Sequence, residues 1–393
     1  MITNWPTSSM RYSRYGNFDS MKILIACDKF KGSLTAPEAC EAVASGISKT
    51  LGSDTVEMRQ LPVADGGDGL ALSLTTAGSG KWVTHQVSNA LGQPIDAGYG
   101  IIESGRTAVI EMAEASGLAQ LNATSLYPWK ATTFGTGELI LDAMDRGVKK
   151  IILGIGGSAT NDGGTGMASA MGFQFLDKNG RVLDAIPTKL EKAASIVTPK
   201  NLNLPRFTVA CDVTNPLLGP SGCTTIYGPQ KGIIPDDLSR HEKRLAHLVG
   251  LTGDHGRTAA DQPGAGAAGG LGFGCLVFFN ARLVRGFDLV ADILQLDEAV
   301  QWADLVITGE GKLDSQSCQG KAPHGVAQLA QRHGKSTAAF CGFLESRELE
   351  KEFGLVCEIR DPKLSIEENM RQGANHLRSA AAQFIAPLIF PST

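Results

Sequence analysis

Five short segments combine charge, hydroxyls and glycine in patterns suited to handling an anion. In Asp28-Lys29-Phe30-Lys31-Gly32-Ser33, a carboxylate, two ammonium groups and a hydroxyl precede a helix. A helix start offers free N–H groups and a positive dipole end, and Lys29 or Lys31 would add charge for a phosphate or carboxylate. Asp28 and Ser33 are candidates for the same ligand; a solvated turn with a capping serine is the structural alternative. In Ala64-Asp65-Gly66-Gly67-Asp68-Gly69, two carboxylates three apart suit a metal or a phosphate-bound Mg²⁺, which takes one or two carboxylates plus phosphate oxygens. An ordinary Asp-Gly turn explains them equally well.

The third segment, Gly154-Ile-Gly156-Gly157-Ser158-Ala-Thr160-Asn161-Asp162-Gly-Gly-Thr-Gly166, is the richest. Consecutive glycines after an apolar strand can turn backbone N–H groups onto an anion, with Ser158, Asn161 and Asp162 adding side-chain contacts to phosphate or substrate. The fourth, Thr308-Gly-Glu310-Gly-Lys312-Leu-Asp314, reads as a glycine-rich loop whose Glu310, Lys312 and Asp314 would hold Mg²⁺ or orient a hydroxyl; a helix-entry loop with exposed charges explains it equally well. The fifth, Ala210-Cys-Asp212-Val-Thr-Asn215, puts Asp212 and Asn215 at a strand end, where a carboxylate is suited to general-base work.

Other signals fail on context. Gly264-Ala-Gly266-Ala-Ala-Gly269 matches GxGxxG but follows Asp261-Gln-Pro263 and not a strand. Gly334-Lys-Ser336 closes a helix where a phosphate loop must open one. The seven histidines are not grouped at metal-ligand spacings, and His333 belongs to a helix's last turn. No pair among the eight cysteines has zinc-ligand spacing; Cys27 and Cys211 read as buried packing thiols.

The elements that must position these residues alternate. Lys22–Ala26 is an apolar strand, and Thr35-Ala-Pro-Glu38 is a capping box opening a helix with Ala39, Val43 and Ile47 on one face. Leu139, Ile140, Ala143 and Met144 form a helical stripe before the strand Ile151–Ile155. The strand Asp304–Thr308, a helix over 323–333 and the strand Thr337–Phe340 repeat that grammar. Alternation of this kind predicts α/β architecture with largely parallel sheets, and places the five segments where such sheets bind ligands.

A chain of 393 residues suggests two domains or one large one. Its net charge of −4 gives no general attraction to nucleic acid or anionic membrane, and no apolar run approaches a membrane span. Forty-seven glycines exceed ordinary usage without a collagen period, so the excess belongs in loops. Cysteine usage suits a reduced, cytoplasmic protein. Residues 1–20 lack the apolar stretch of a secretory signal and read as a disordered extension, or as sequence upstream of the true start at Met21.

Together the segments CDKFKGSL, LPVADGGDG, FGTGELILDAM, GIGGSATNDGGTGM, ACDVTNPLLGPSG, YGPQKG, PGAGAAGGLG and VITGEGKLDSQS resemble the bacterial two-domain glycerate kinases, in family order from Met21 onward. The departures are Cys27, where family members often have Pro, and Leu70, where they often have Thr. The resemblance implies ATP- and Mg²⁺-dependent phosphorylation of D-glycerate, more readily at the 2- than the 3-hydroxyl. It also implies a flavodoxin-like parallel-sheet domain formed by both chain ends (21–64 and 288–393) and an inserted α/β domain (65–287), with the site in the cleft. For such a transfer Lys31 would carry phosphate charge, Asp212 would be the base, Gly156, Gly157, Ser158 and Asn161 would form a cradle, and Glu310, Asp314, Asp65 and Asp68 are the metal candidates; the sequence leaves these roles interchangeable. A kinase for another short hydroxy acid, or a nucleotide-binding module without turnover, is the alternative. The sequence is silent on oligomeric state.

Overall fold

The computed structural model describes residues 21–51, 55–121, 126–200, 202–315, 317 and 321–389. The expected extension 1–20, Gln316 of the DSQS motif and Cys318 lie outside them. In chain order the strands are β1 (Met21–Cys27), β2 (Val56–Gln60), β3 (Lys81–Ser88), β4 (Pro94–Ile102), β5 (Thr107–Glu111), β6 (Lys150–Gly154), β7 (Gln174–Leu176) and β8 (Ser195–Val197). Then follow β9 (Arg206–Ala210), β10 (Arg282–Val284), β11 (Leu305–Leu313), β12 (Ser336–Leu344) and β13 (Leu355–Glu358).

Both chain ends build one five-stranded sheet in the order β2-β1-β11-β12-β13, parallel throughout. That is the flavodoxin-like 2-1-3-4-5 arrangement, with its switch point between β1 and β11. Its central strands are covered on both faces, so β1 is a continuous apolar run whose Ile23 to Cys27 are fully buried. The helix Ala36–Leu51 opens on the expected capping box: Glu38 N–H donates to Thr35 Oγ1 at 3.4 Å, and Thr35 N–H donates to Glu38 Oε2 at 2.8 Å. Its buried face, Ala39, Val43 and Ile47, packs with Leu377 and Ala381 of the helix Gly373–Ile389.

The middle of the chain forms a six-stranded sheet, β10-β9-β6-β5-β4-β3, parallel from β10 to β5 and antiparallel from β5 to β3. The expected two-part α/β architecture is therefore present. A hydrophobic cluster joins the sheets: Leu24, Ala26 and Val306 from the first share a core with Val109, Ile152 and Ala210 from the second, through Leu70, Phe287 and Val290.

One element departs from expectation. The glycine-rich segment after Thr308 stays in β11 through Leu313, pairing with β12 at Glu310↔Cys341 and Lys312↔Phe343. A glycine-rich sequence was consistent with a loop; the neighbouring strand supplies the ladder that keeps it extended.

Candidate active site

The carboxyl ends of both sheets meet at the turn after β2. Gly66 lies there at φ +83°, and a Cβ on it would stand 2.6 Å from Gly286 Cα and 3.0 Å from Asp212 Oδ2, so only glycine fits. On the other side, a Cβ on Gly156 would come within 3.0 Å of Gly67 Cα. The turn is thus wedged between the loops after β6 and β9, and it separates two cavities.

The cavity on the inserted side, about 210 Å³, is lined by Gly66, Gly67, Gly156, Gly157, Ser158, Asp212 and Lys231 among others. Lys231 is buried, and its Nζ donates to Ser158 Oγ at 2.6 Å and to Thr160 O at 2.7 Å. Burial lowers its pKa to about 8, against the opposing charge of Asp162. Asp212 stays open to solvent at the cavity wall, with Oδ1 accepting from Gly286 N–H at 2.8 Å. The surrounding protein raises its pKa to about 6 by partial desolvation, and the charges of Asp65 and Asp288 add to this.

On the chain-end side stands a group of carboxylates. Asp28 is buried directly after β1, and burial followed by the charges of Asp65 and Glu310 raises its pKa to about 8. Glu310, buried in β11, is raised to about 7, again first by burial, with Asp314 and Asp65 adding. Asp65 raises all three of Asp28, Asp212 and Glu310, and is the point they share. Lys321 Nζ lies 3.8 Å from Glu310 and 3.9 Å from Asp314, and Lys312 Nζ lies 3.2 Å from Asp314. Lys31 and Ser33 face a second cavity of about 430 Å³ that also contains Asp28, Asp68 and Glu111.

The expected residues thus divide. Gly156, Gly157, Ser158 and Asp212 line the smaller cavity and Asp28, Lys31 and Ser33 the larger, while Asp65 is felt electrostatically at Asp28, Asp212 and Glu310, and Glu310 and Asp314 share Lys321. Asp68 diverges from Asp65 and pairs with Lys29 at 3.2 Å, so the two carboxylates of that turn do not face one point. Asp162 is fully buried and braces the loop, accepting from Thr133 N–H at 2.8 Å, Thr133 Oγ1 at 2.9 Å, Gly164 N–H at 3.0 Å and Gly166 N–H at 3.2 Å. Asn161 is also buried; its Nδ2 donates to Thr224 Oγ1 at 3.2 Å and its carbonyl accepts from Arg244. Asn215 accepts from the Tyr227 hydroxyl at 2.7 Å and donates to Ser221 O at 2.8 Å. All three hold loops in place and line neither cavity. Cys211, expected to be buried packing, is only partly buried and lines the smaller cavity.

Sequence reasoning missed Lys231, Lys321 and Glu111. Glu111 ends β5, accepts from Gly69 N–H at 3.0 Å and Ala71 N–H at 2.7 Å, and is raised by burial to about 7. Its signal was available: a carboxylate closing the apolar run TAVIE. Lys231 gave no local signal, because a lysine before a turn glycine is ordinary until tertiary structure buries it.

Glycine-bordered loops, buried carboxylates and lysines at the carboxyl ends of the parallel strands of two sheets define an α/β phosphotransferase. Residues 23–389 match the model of the glycerate kinase family. The chain is 40% identical to the glycerate kinase of Halalkalibacterium halodurans over 91% of this chain and 96% of that one. It is 40% identical to the glycerate 2-kinase of Escherichia coli, covering 82% and 86%. A crystal structure described as glycerate kinase 2 from Salmonella typhimurium LT2 superposes with a TM-score of 0.86 at 39% identity, covering 94% of this chain and 99% of that one. The chain belongs to the glycerate kinase family, and is a kinase. Among the described residues, no helix is long and apolar enough to cross a membrane.

Proposed function

We propose that the protein transfers the γ-phosphoryl group of ATP to D-glycerate, forming 2-phosphoglycerate. One observation carries this reading: the Asp65–Gly67 turn sets an ammonium–hydroxyl pair and a carboxylate on one side against a carboxylate–lysine group on the other. The Escherichia coli relative named a glycerate 2-kinase favours the 2-position.

Phosphoryl transfer asks a protein for positioning and charge neutralisation more than for covalent chemistry. In the smaller cavity, Lys231 and Ser158 would bind the glycerate carboxylate beside the Gly156–Gly157 backbone. Asp212 would accept the proton of the attacking hydroxyl. The hydroxyl oxygen forms a bond to the γ-phosphorus as the bond from phosphorus to the β–γ bridging oxygen breaks, and ADP leaves. Lys31 would counter phosphate charge. Residues 21–64 and 288–393 would hold the nucleotide, and residues 65–287 the acceptor.

The carboxylates also suit a Mg²⁺ ion. Buried Glu310 Oε1 has no hydrogen-bond partner among the described residues, and the charge of Asp65 is felt at the same carboxylate. Among the described residues, no three His, Cys, Asp or Glu side chains form a complete metal cage. That matches an ion that takes only one or two protein carboxylates and completes its shell with phosphate oxygens and water. Asp65 and Glu310 would hold it, with Asp314 and Asp68 further out on their lysines; bound there, it supplies charge neutralisation to the phosphates.

The test is ADP release from ATP and MgCl₂ with D-glycerate and a panel of short hydroxy acids, with the product identified by NMR. D-glycerate should turn over to 2-phosphoglycerate, and Asp212→Asn should lower kcat by about 10²–10⁴-fold. Near-normal kcat removes Asp212 from the base role. Turnover with another acid in place of D-glycerate overturns the acceptor assignment.

A further inference from the structure

A third cavity of about 440 Å³ lies beyond the carboxyl ends of β11 and β12, and of its lining only Lys31 enters the chemistry above. Gly311, Gly342 and Phe343 form one wall, the segment 359–373 the other, and Phe30 and Lys31 its inner edge. This is where an open parallel sheet takes its ligand, outside the carboxyl ends next to the β1/β11 switch point.

The cavity adjoins the site, sharing Lys31 and Ser33 with the neighbouring one. Gly311 follows Glu310 directly, and Lys31 lines both this cavity and the neighbouring one that holds Asp28. A ligand seated here with an anionic tail would lead that tail past Lys31 toward Glu310.

Its chemistry is that of a flat, largely apolar ligand. Phe343, Ile366 and Met370 are 38%, 74% and 41% exposed around the concavity, an unusual concentration of large apolar side chains left open to water. The Arg360 guanidinium carbon lies 4.7 Å from the centre of the Phe343 ring, a stack of two planar groups to which a base can be added. His376 lines the cavity, and among the described residues its buried Nε2 has no hydrogen-bond partner, a polar group suited to a ring nitrogen or exocyclic amine.

The outer wall is already fixed in shape. Asn369 Nδ2 donates to the carbonyls of Asp361 at 2.9 Å, Leu364 at 3.2 Å and Ser365 at 3.0 Å, while its Oδ1 accepts from Asp361 N–H at 2.8 Å. Ser33 Oγ donates to Met370 O at 2.5 Å, tying that wall to the β1 loop. A wall ordered before binding keeps the entropic cost of association low.

We propose that this cavity binds the adenine base of the nucleotide, with Phe343, Ile366 and Met370 packing on the purine and His376 reading its edge. The proposal rests on the kinase reading for its choice of ligand, but its test needs no turnover. ADP binding, without glycerate, is measured by calorimetry on the full chain and on Phe343→Ala and Ile366→Asp. Both positions are solvent-exposed, and unchanged melting curves show that the fold is kept.

The protein should bind ADP, and each substitution should weaken binding by about tenfold or more. Inorganic tripolyphosphate, which has no base, should bind all three proteins alike. Unaltered ADP affinity in both variants, or equal losses for ADP and tripolyphosphate, overturns the assignment. So does failure of the unsubstituted protein to bind ADP. ADP binding of the expected pattern without phosphorylation of glycerate would instead overturn the proposed reaction and leave the base site standing.

Discussion

Lys231 shows how the fold changes what a side chain can do. In water a lysine keeps its proton well above pH 9; here burial brings the pKa down to about 8 while Ser158 Oγ and Thr160 O occupy two of its donors. An anion bound to the ammonium needs the proton, so affinity should be full below that pKa and fall as pH rises through it. KM for glycerate is therefore expected to climb above about pH 8. In Lys231→Met, KM should already be raised at pH 7, by about tenfold or more, since a hydrogen bond to a charged group contributes about 1.5–3 kcal/mol. The variant should also lose the alkaline rise. Steady-state kinetics between pH 6.5 and 9 checks both, and a pH-independent KM in the unsubstituted enzyme would refute the role.

At the scale of elements, the segment after β6 divides its polar residues between ligand and scaffold. Ser158 faces the cavity, while Asp162 gathers five donors in the interior, the Thr132 hydroxyl among them. Removing that acceptor strands buried N–H groups at about 1–3 kcal/mol each, less than additively. Asp162→Ala should thus lose roughly 3 kcal/mol or more in urea unfolding, whereas Asp162→Asn should retain more of the stability and leave KM for glycerate within about twofold. A large KM change with unaltered stability would restore Asp162 to the ligand. The strands and helices themselves were legible, because the apolar run before Asp28 and the Thr35/Glu38 box are local signals. The Gly156–Ser158 turn and Asp212 were legible as strand-end residues for the same reason. What the sequence could not show was direction: Asn161, Asp162 and Asn215 have the polarity of site residues, and only tertiary structure turns them inward. Leu70, in place of a hydroxyl-bearing family residue, is fully buried in the core joining the two sheets.

At the scale of the molecule, the two sheets share one body of apolar side chains. Leu24, Ala26 and Val306 meet Val109, Ile152 and Ala210 across Phe287, whose ring fills the space beside Gly325 so closely that a Cβ there would stand 2.2 Å from Cε1. Two domains with separate cores unfold separately when their interface is small and polar. An interface built as a common core couples them, because opening one exposes apolar surface belonging to the other. Thermal unfolding of the enzyme should therefore be a single transition, with calorimetric and van't Hoff enthalpies in agreement. Phe287→Ala should weaken both sheets together: a loss of about 3–5 kcal/mol is typical for a buried phenylalanine, and it should lower one common midpoint without splitting it. Calorimetry with far-UV dichroism on the same samples distinguishes the outcomes. Two resolved transitions in the unsubstituted protein would show that the shared core does not couple the halves. The crevice would then open and close on a hinge, and not be held by the packing that now fixes Asp65 between Asp28, Asp212 and Glu310.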